Sequence, residues 1–279
     1  MTLREMKVAI GRWRLPLQAL AVALLIVAIR VITHRLGLER ISVSPLIATI
    51  VTANVFIVGF LLTGILADYK EGEKLPGDLS VSLGAIADEC HLLWRHKQAP
   101  PARDGLRQVL DLTTSLRRWF CKQERTQNVM AKVEDLGDLF VALESFTQPN
   151  FIVRLKQEQS TMSRMLVRIH TIRETSFVSS GYIMAMVVTG LVLVGLLFLK
   201  IEPWYESVFL TGVIAWFLSY LLLLIRDLDN PFDYAPDGTA RGHEVSLKPL
   251  EDLEAKLARE VASADSAPAP AASGEAARV

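Results

Sequence analysis

Cysteine is scarce. The 279 residues contain two, Cys90 and Cys121, with no Cys-x-x-Cys and no Cys/His ligand spacing around them. That excludes a disulfide framework and a structural zinc site. Cys90, His91 and His96 can be drawn as a metal cluster, but three such residues on one helix arise readily by chance. An excess of one charge sign is missing too: thirty Lys and Arg balance thirty Asp and Glu. A nucleic-acid partner needs a basic surface to neutralise phosphates, so this balance argues against one. No GxGxxG, Walker loop, GxSxG or HExxH occurs. Gly59-x4-Gly64 spaces half of a phosphate loop, but Ile65 and Leu66 stand where Lys and Ser/Thr belong. An enzyme has no residues to stand on here.

Charge is also missing locally. Only two of the sixty charged residues, Arg30 and Glu206, fall within windows 15–32, 45–67, 177–199 and 204–225. A hydrocarbon core of about 30 Å is spanned by roughly 20 apolar helical residues. Windows 45–67 and 177–199 meet that with no charge at all. Window 204–225 meets it with Glu206 at the interface and Trp204 and Tyr205 as aromatic anchors. Window 15–32, interrupted by Gln18 and closed by Arg30, reads as a retained membrane anchor or as an interfacial or buried helix. No cleavage site for a secretory signal precedes the later spans. Four spans are expected. No ionisable residue lies mid-span, which argues against a proton relay.

An even number of spans puts both termini and residues 68–176 on one side. Arg4, Lys7, Arg12, Arg14, Lys70, Lys74, Arg164, Arg168, Arg173 and Arg226 flank the membrane there. Arg30, Arg35, Arg40 and Lys200 flank the other side, so the positive-inside rule makes the termini and the long segment cytoplasmic.

The long segment is helical. Leu79, Leu83, Ile86, Cys90 and Leu93 step by 4 and 3, with Asp78 as the expected N-cap and Pro100-Pro101 as the stop. A second helix runs from about Asp104 through Leu106, Leu110, Leu116 and Phe120. A third follows Val129, Val133, Leu136, Phe140 and Leu143. A fourth, from Phe151 through Leu155, Met162, Leu166 and Ile169, is expected to continue into the third span. No alternating β-branched run appears. The expected fold is all-α: a four-span transmembrane helical protein with an amphipathic cytoplasmic helical bundle. Its parts are 1–67 with spans one and two, the cytoplasmic region 68–176, spans three and four in 177–225, a juxtamembrane segment 226–256, and an Ala/Ser/Pro/Glu-rich tail 257–279 expected to be disordered.

Within the second span, Thr49, Thr52, Phe56, Phe60 and Thr63 step by 3, 4, 4 and 3 along one helical stripe, with Asn54 off it. Such a stripe suits packing between membrane helices. It also suits a pore wall, where rings of Phe make an apolar neck that gates by dewetting.

The run Phe56-Ile-Val-Gly59-Phe60-Leu-Leu-Thr63, followed by Leu75-Pro76, resembles the second membrane helix of bestrophins, anion channels with Phe-x-x-Gly-Phe-x-x-Thr there. Tyr69-Lys-Glu71-Gly-Glu-Lys74-Leu75 is similar to a stretch of their prokaryotic relatives. Asp229-Asn230-Pro231-Phe232-Asp233 resembles the Asn-Pro-Phe-Gly-acidic segment that follows the last bestrophin span. The resemblance implies a homo-oligomeric, pentameric channel in a lipid bilayer, conducting inorganic ions, with chloride as the family's anion. It implies a bacterial inner membrane, a neck at Thr52, Phe56 and Phe60, and Thr49 and Thr63 as flanking residues. Thr52 replaces the usual apolar residue, which makes a wetter neck. Calcium, where the resemblance implies it, would fall to Asp233 and Asp237. About six to eight oxygen ligands are usual for that ion, and two carboxylates are a thin supply. The rival reading is a non-conducting membrane scaffold or signalling protein whose cytoplasmic helices bind a partner.

Overall fold

A computed structural model describes residues 3–174, 179–234 and 244–266. The side chains of 3–12 and 179–180 are not among those described. Among the described residues eight α-helices, a single 3-10 turn (Glu144–Phe146, after α4) and two very short strands form in the order α1 (Leu3–Arg35), β1 (Ile41–Ser42), α2 (Pro45–Lys97), α3 (Pro100–Phe120), α4 (Thr126–Leu143), α5 (Pro149–Glu174), α6 (Ser179–Leu197), β2 (Leu199–Lys200), α7 (Trp204–Leu228) and α8 (Lys248–Ser266). The all-α expectation holds. The chain divides into two compact units, with α2 contributing residues up to Lys70 to the first and from Glu71 to the second.

The first unit holds α1, the start of α2, α6 and α7. Trp13–Arg35, Pro45–Lys97 and Trp204–Leu228 are long and apolar enough to cross a membrane, and Gly181–Leu197 is a shorter apolar helix. Small residues let α1 and α7 approach closely. Ala19, Ala23 and Ala215 are buried. A Cβ added at Gly212 would sit 3.1 Å from Val27 Cγ2. Val58, Leu61 and Ile65 of α2 form a cluster with Ala185 of α6 and with Ile225 and Leu228 of α7.

The connections after α1 and after α6 meet at one end of this unit. β1 and β2 pair in parallel with Ile41 opposite Leu199 and Ser42 opposite Lys200. Two residues per strand are too few for the alternating pattern that would reveal them in a sequence. Arg30, 0% exposed, is the buried centre of this end. Its guanidinium donates to the carbonyls of Leu197 (2.7 Å) and Leu199 (2.5 Å) and to Ser207 Oγ (3.1 and 2.5 Å), and pairs with Glu39 at 2.8 Å. The Leu197 carbonyl lies at the C-terminal end of α6, where helix geometry leaves acceptors without intrahelical donors, and the Leu199 carbonyl belongs to β2 just beyond it. One charged side chain thus ties α1, the 36–44 connection, α6 and the start of α7.

The second unit is an amphipathic bundle of the remainder of α2, α3, α4, α5, α8 and residues 232–234. Its core includes Leu79, Leu83, Ile86, Leu106, Leu112, Leu116, Leu136, Phe140, Leu166 and Ile169. Gly105 is required where α2, α3 and α4 converge, since a Cβ there would lie 2.9 Å from Cys90 Sγ and 2.9 Å from Leu139 Cδ1. Burial pushes the Cys90 thiol up to about 12, so it is an inert core residue.

Four expectations change. Asp78 caps nothing, because α2 continues without a break through Pro76. Tertiary burial of Leu75, Leu79 and Leu83 on the same face outweighs the lost hydrogen bond at the proline. Pro100-Pro101 follows the end of α2 as expected, but the next helix starts at Pro100 itself and not near Asp104, as N1 prolines allow. Residues 257–266 are helix, not tail: Leu250, Leu253, Leu257 and Ala264 bury one face of α8. The remaining tail, 267–279, lies outside the described residues, as do residues 175–178, where the fourth bundle helix was expected to run into the third span. Finally, the short β1–β2 pair qualifies the absence of strands.

Candidate pore-lining face

Two faces of α2 in the first unit are chemically distinct. Asn54, Val58, Leu61 and Ile65 are buried and step by 4, 3 and 4. Thr49, Thr52, Phe56, Phe60 and Thr63 are all exposed, and at 100° per residue their stripe lies roughly 180° from the buried one. Phe56 and Phe60 are each 72% exposed. The structure therefore puts the five stripe residues on one outward face of a single chain.

The buried face is pinned by a reciprocal pair. Asn54 Nδ2 donates to Thr189 Oγ1 at 3.1 Å, and that hydroxyl donates back to Asn54 Oδ1 at 3.3 Å. This fixes the rotation of α2 against α6 and so directs the stripe outward. Thr49, Thr52 and Thr63 donate to the carbonyls four residues back, those of Pro45, Ala48 and Gly59, at 2.9, 2.8 and 2.9 Å. Each hydroxyl proton is satisfied within the helix, which leaves oxygen lone pairs on the exposed face.

Hydroxyl placement separates this face from the other apolar helices. Thr33 of α1, Thr189 of α6, and Ser207, Thr211 and Ser219 of α7 are all buried. The exposed large residues of α6 and α7, such as Ile183, Leu191, Phe209 and Val213, are apolar, as a surface against lipid should be. Only α2 turns its threonines outward among the described helices of this unit. Sequence periodicity finds the stripe but not its direction, because period alone does not say which face meets the core.

Of the other two candidates, Asp233 lies in the second unit. Asp233 Oδ1 accepts from Lys122 Nζ at 2.5 Å, and the flanking Phe232 and Tyr234 are buried, Phe232 against the Phe120 ring at 5.5 Å. Lys122 follows α3 in the left-handed region, φ 59°, a conformation that favours glycine. Beside it the Arg173 guanidinium stacks 5.0 Å over the Trp119 ring. Asp237 lies outside the described residues. Among the described residues no three His, Cys, Asp or Glu side chains cluster as metal ligands. Sequence reasoning missed Arg30 as a structural centre, since a single arginine at the edge of a span looks like an interfacial charge.

No family model matches the chain, and no curated protein matches it in sequence. Solved structures of a bacterial bestrophin homolog from Klebsiella pneumoniae do match its fold. A single-substitution variant has a TM-score of 0.74 at 13% identity, over 88% of this chain and 97% of that chain. A second variant has a TM-score of 0.72 at 14% identity, over 90% and 99%. A third structure of the homolog, phased on zinc, has a TM-score of 0.71 at 13% identity, over 89% and 97%. Built on the apolar helices of a membrane protein, the chain has a bestrophin-like fold.

Proposed function

We propose that the protein is a bestrophin-like ion channel: a homo-oligomer, pentameric by resemblance, whose α2 helices surround a central pore conducting anions such as chloride. Thr52, Phe56 and Phe60 form the neck; Thr49 and Thr63 flank it. Four spans with cytoplasmic termini in a bacterial inner membrane complete the reading. The observation that carries it is the outward threonine-and-aromatic face of α2, beside helices whose described threonines and serines are turned inward. A face against lipid gains nothing from threonine, whereas a water-filled neck does. The Phe rings supply a constriction that closes by dewetting, and Thr52 lowers the cost of wetting its outer ring.

Calcium takes no step in this reading. The Asp233 carboxylate already faces the Lys122 ammonium, so a divalent ion would have to displace a built-in cation. The described residues there do not fit a calcium site.

A membrane scaffold remains the second reading because of one surface in the second unit. A groove of about 430 Å³ is lined by Val81, Leu92, Phe151 and Arg154, among others, and three of these are exposed apolar residues. Recording from the purified protein in planar bilayers separates the two. Replacing Phe56 and Phe60 together with Ala is expected to raise or deregulate the current. Zero current from both wild type and variant, as intact oligomers, would leave the scaffold reading standing.

A further inference from the structure

The exposed stripe of α2 extends past Thr63 to a charge. Lys70 lies seven residues on, which is two turns and about 10 Å along the axis, on the same face of the helix. It belongs to the same compact unit as Thr52, Phe56 and Phe60, and it is exposed. Among the described residues Lys70 enters no ion pair. Its two nearest acidic neighbours in the sequence do not neutralise it. Asp68 lies 200° around the helix at 100° per residue, close to the opposite face. Both carboxylate oxygens of Glu71 are engaged by Arg168, Nε to Oε1 at 2.8 Å and Nη2 to Oε2 at 2.6 Å.

We propose that Lys70 is the charge-selecting residue of the pore: repeated by symmetry, it forms a ring of ammonium groups at the cytoplasmic mouth of the neck, concentrating anions and repelling cations. This rests on the channel reading above and goes beyond it by assigning selectivity to one side chain. The neck itself contains no ionisable group, so it sets when ions pass rather than which sign. A ring of lysines is the recurrent chemical solution for anion pores. A charged, low-dielectric mouth raises the local counter-ion concentration by roughly tenfold or more, with strong salt dependence.

The test is the reversal potential of the reconstituted full-length protein in a sodium chloride gradient, at low and high ionic strength. Wild type is expected to favour chloride, and Lys70→Arg to keep that preference. Lys70→Gln is expected to reduce the chloride-to-sodium permeability ratio roughly tenfold at low salt. Lys70→Glu should reverse the preference. Light scattering in detergent establishes that each variant keeps the wild-type oligomeric mass. If Lys70→Glu does not assemble, the Lys70→Gln and Lys70→Arg comparison decides alone. Current with an unchanged ratio in Lys70→Gln overturns the proposal and leaves the channel reading intact; a sodium-selective wild type overturns the proposal together with the anion preference of that reading, and leaves only the channel itself. Absence of current in wild type and in the Phe56/Phe60 variant removes the channel reading and this proposal together.

Discussion

Arg30 shows how much one side chain can hold. Its charge is compensated by Glu39 at 2.8 Å, and its remaining donors meet Leu197 O, Leu199 O and Ser207 Oγ. Removing a buried, fully bonded charge typically costs about 3–5 kcal/mol; here the Leu197 and Leu199 carbonyls and Ser207 Oγ lose their donor, while the partly exposed Glu39 keeps His34 Nδ1 at 3.1 Å. Arg30→Met is therefore expected to lower the thermal unfolding midpoint of the detergent-solubilised protein markedly. Arg30→Met with Glu39→Gln should recover only a small part of that loss, since Glu39 loses its arginine but still faces His34. A single variant as stable as wild type would show that water or lipid headgroups satisfy these acceptors. None of this is legible from the sequence, where Arg30 is one charge closing an apolar run. Its partners lie 9 to 177 residues away, and long-range pairing leaves no local pattern. By contrast Phe56 and Phe60 are legible, because helical periodicity marks a stripe whichever face it covers.

At the scale of elements, long periodic segments read correctly and their boundaries did not. α3 and α4 follow their apolar steps closely, since each buries a continuous face in the bundle. The low-complexity composition near the C-terminus suggests a chain unable to bury enough surface, yet α8 continues to Ser266. Its docking explains why. Leu250, Leu253 and Leu257 enter the core, and the polar edges are paired: Glu254 with Arg117 at 2.8 Å, Lys256 with Asp88 at 2.8 Å, and Asp265 with Arg107 at 2.5 Å. Partly exposed pairs of this kind contribute little each, so the leucines dominate. Leu257→Asp would place a carboxylate in the apolar core and is expected to release α8. Limited proteolysis of the purified protein should then cut within 248–266, with a loss of about 3 kcal/mol or more in stability of the bundle. Glu254→Ala should cost about 1 kcal/mol or less by the same measurement. Equal protection of Leu257→Asp and wild type would show that α8 is held by its ionic edge instead.

At the scale of the whole molecule, one chain supplies only one wall of any pore, so function depends on how many chains meet. Helices of about 5 Å radius packed at about 10 Å between axes close on themselves when two meet. The same geometry leaves an opening of roughly 1 Å radius for three helices, roughly 2 Å for four and roughly 3.5 Å for five. Only the larger rings admit a partly dehydrated halide past phenyl side chains, which agrees with the pentamer that the bestrophin resemblance implies. The proposed channel requires the outward direction of Thr52, Phe56 and Phe60 on the isolated chain, since residues that line a shared axis cannot also be buried by their own subunit. Light scattering of the detergent-solubilised full-length protein is expected to give a protein mass of about five chains. A monomer or dimer across detergents would leave α2 no ring to form, and its aromatic face would have to be a packing surface. Phe56→Ala and Phe60→Ala should leave this mass unchanged while altering conductance, because residues facing a lumen contribute little to contacts between subunits.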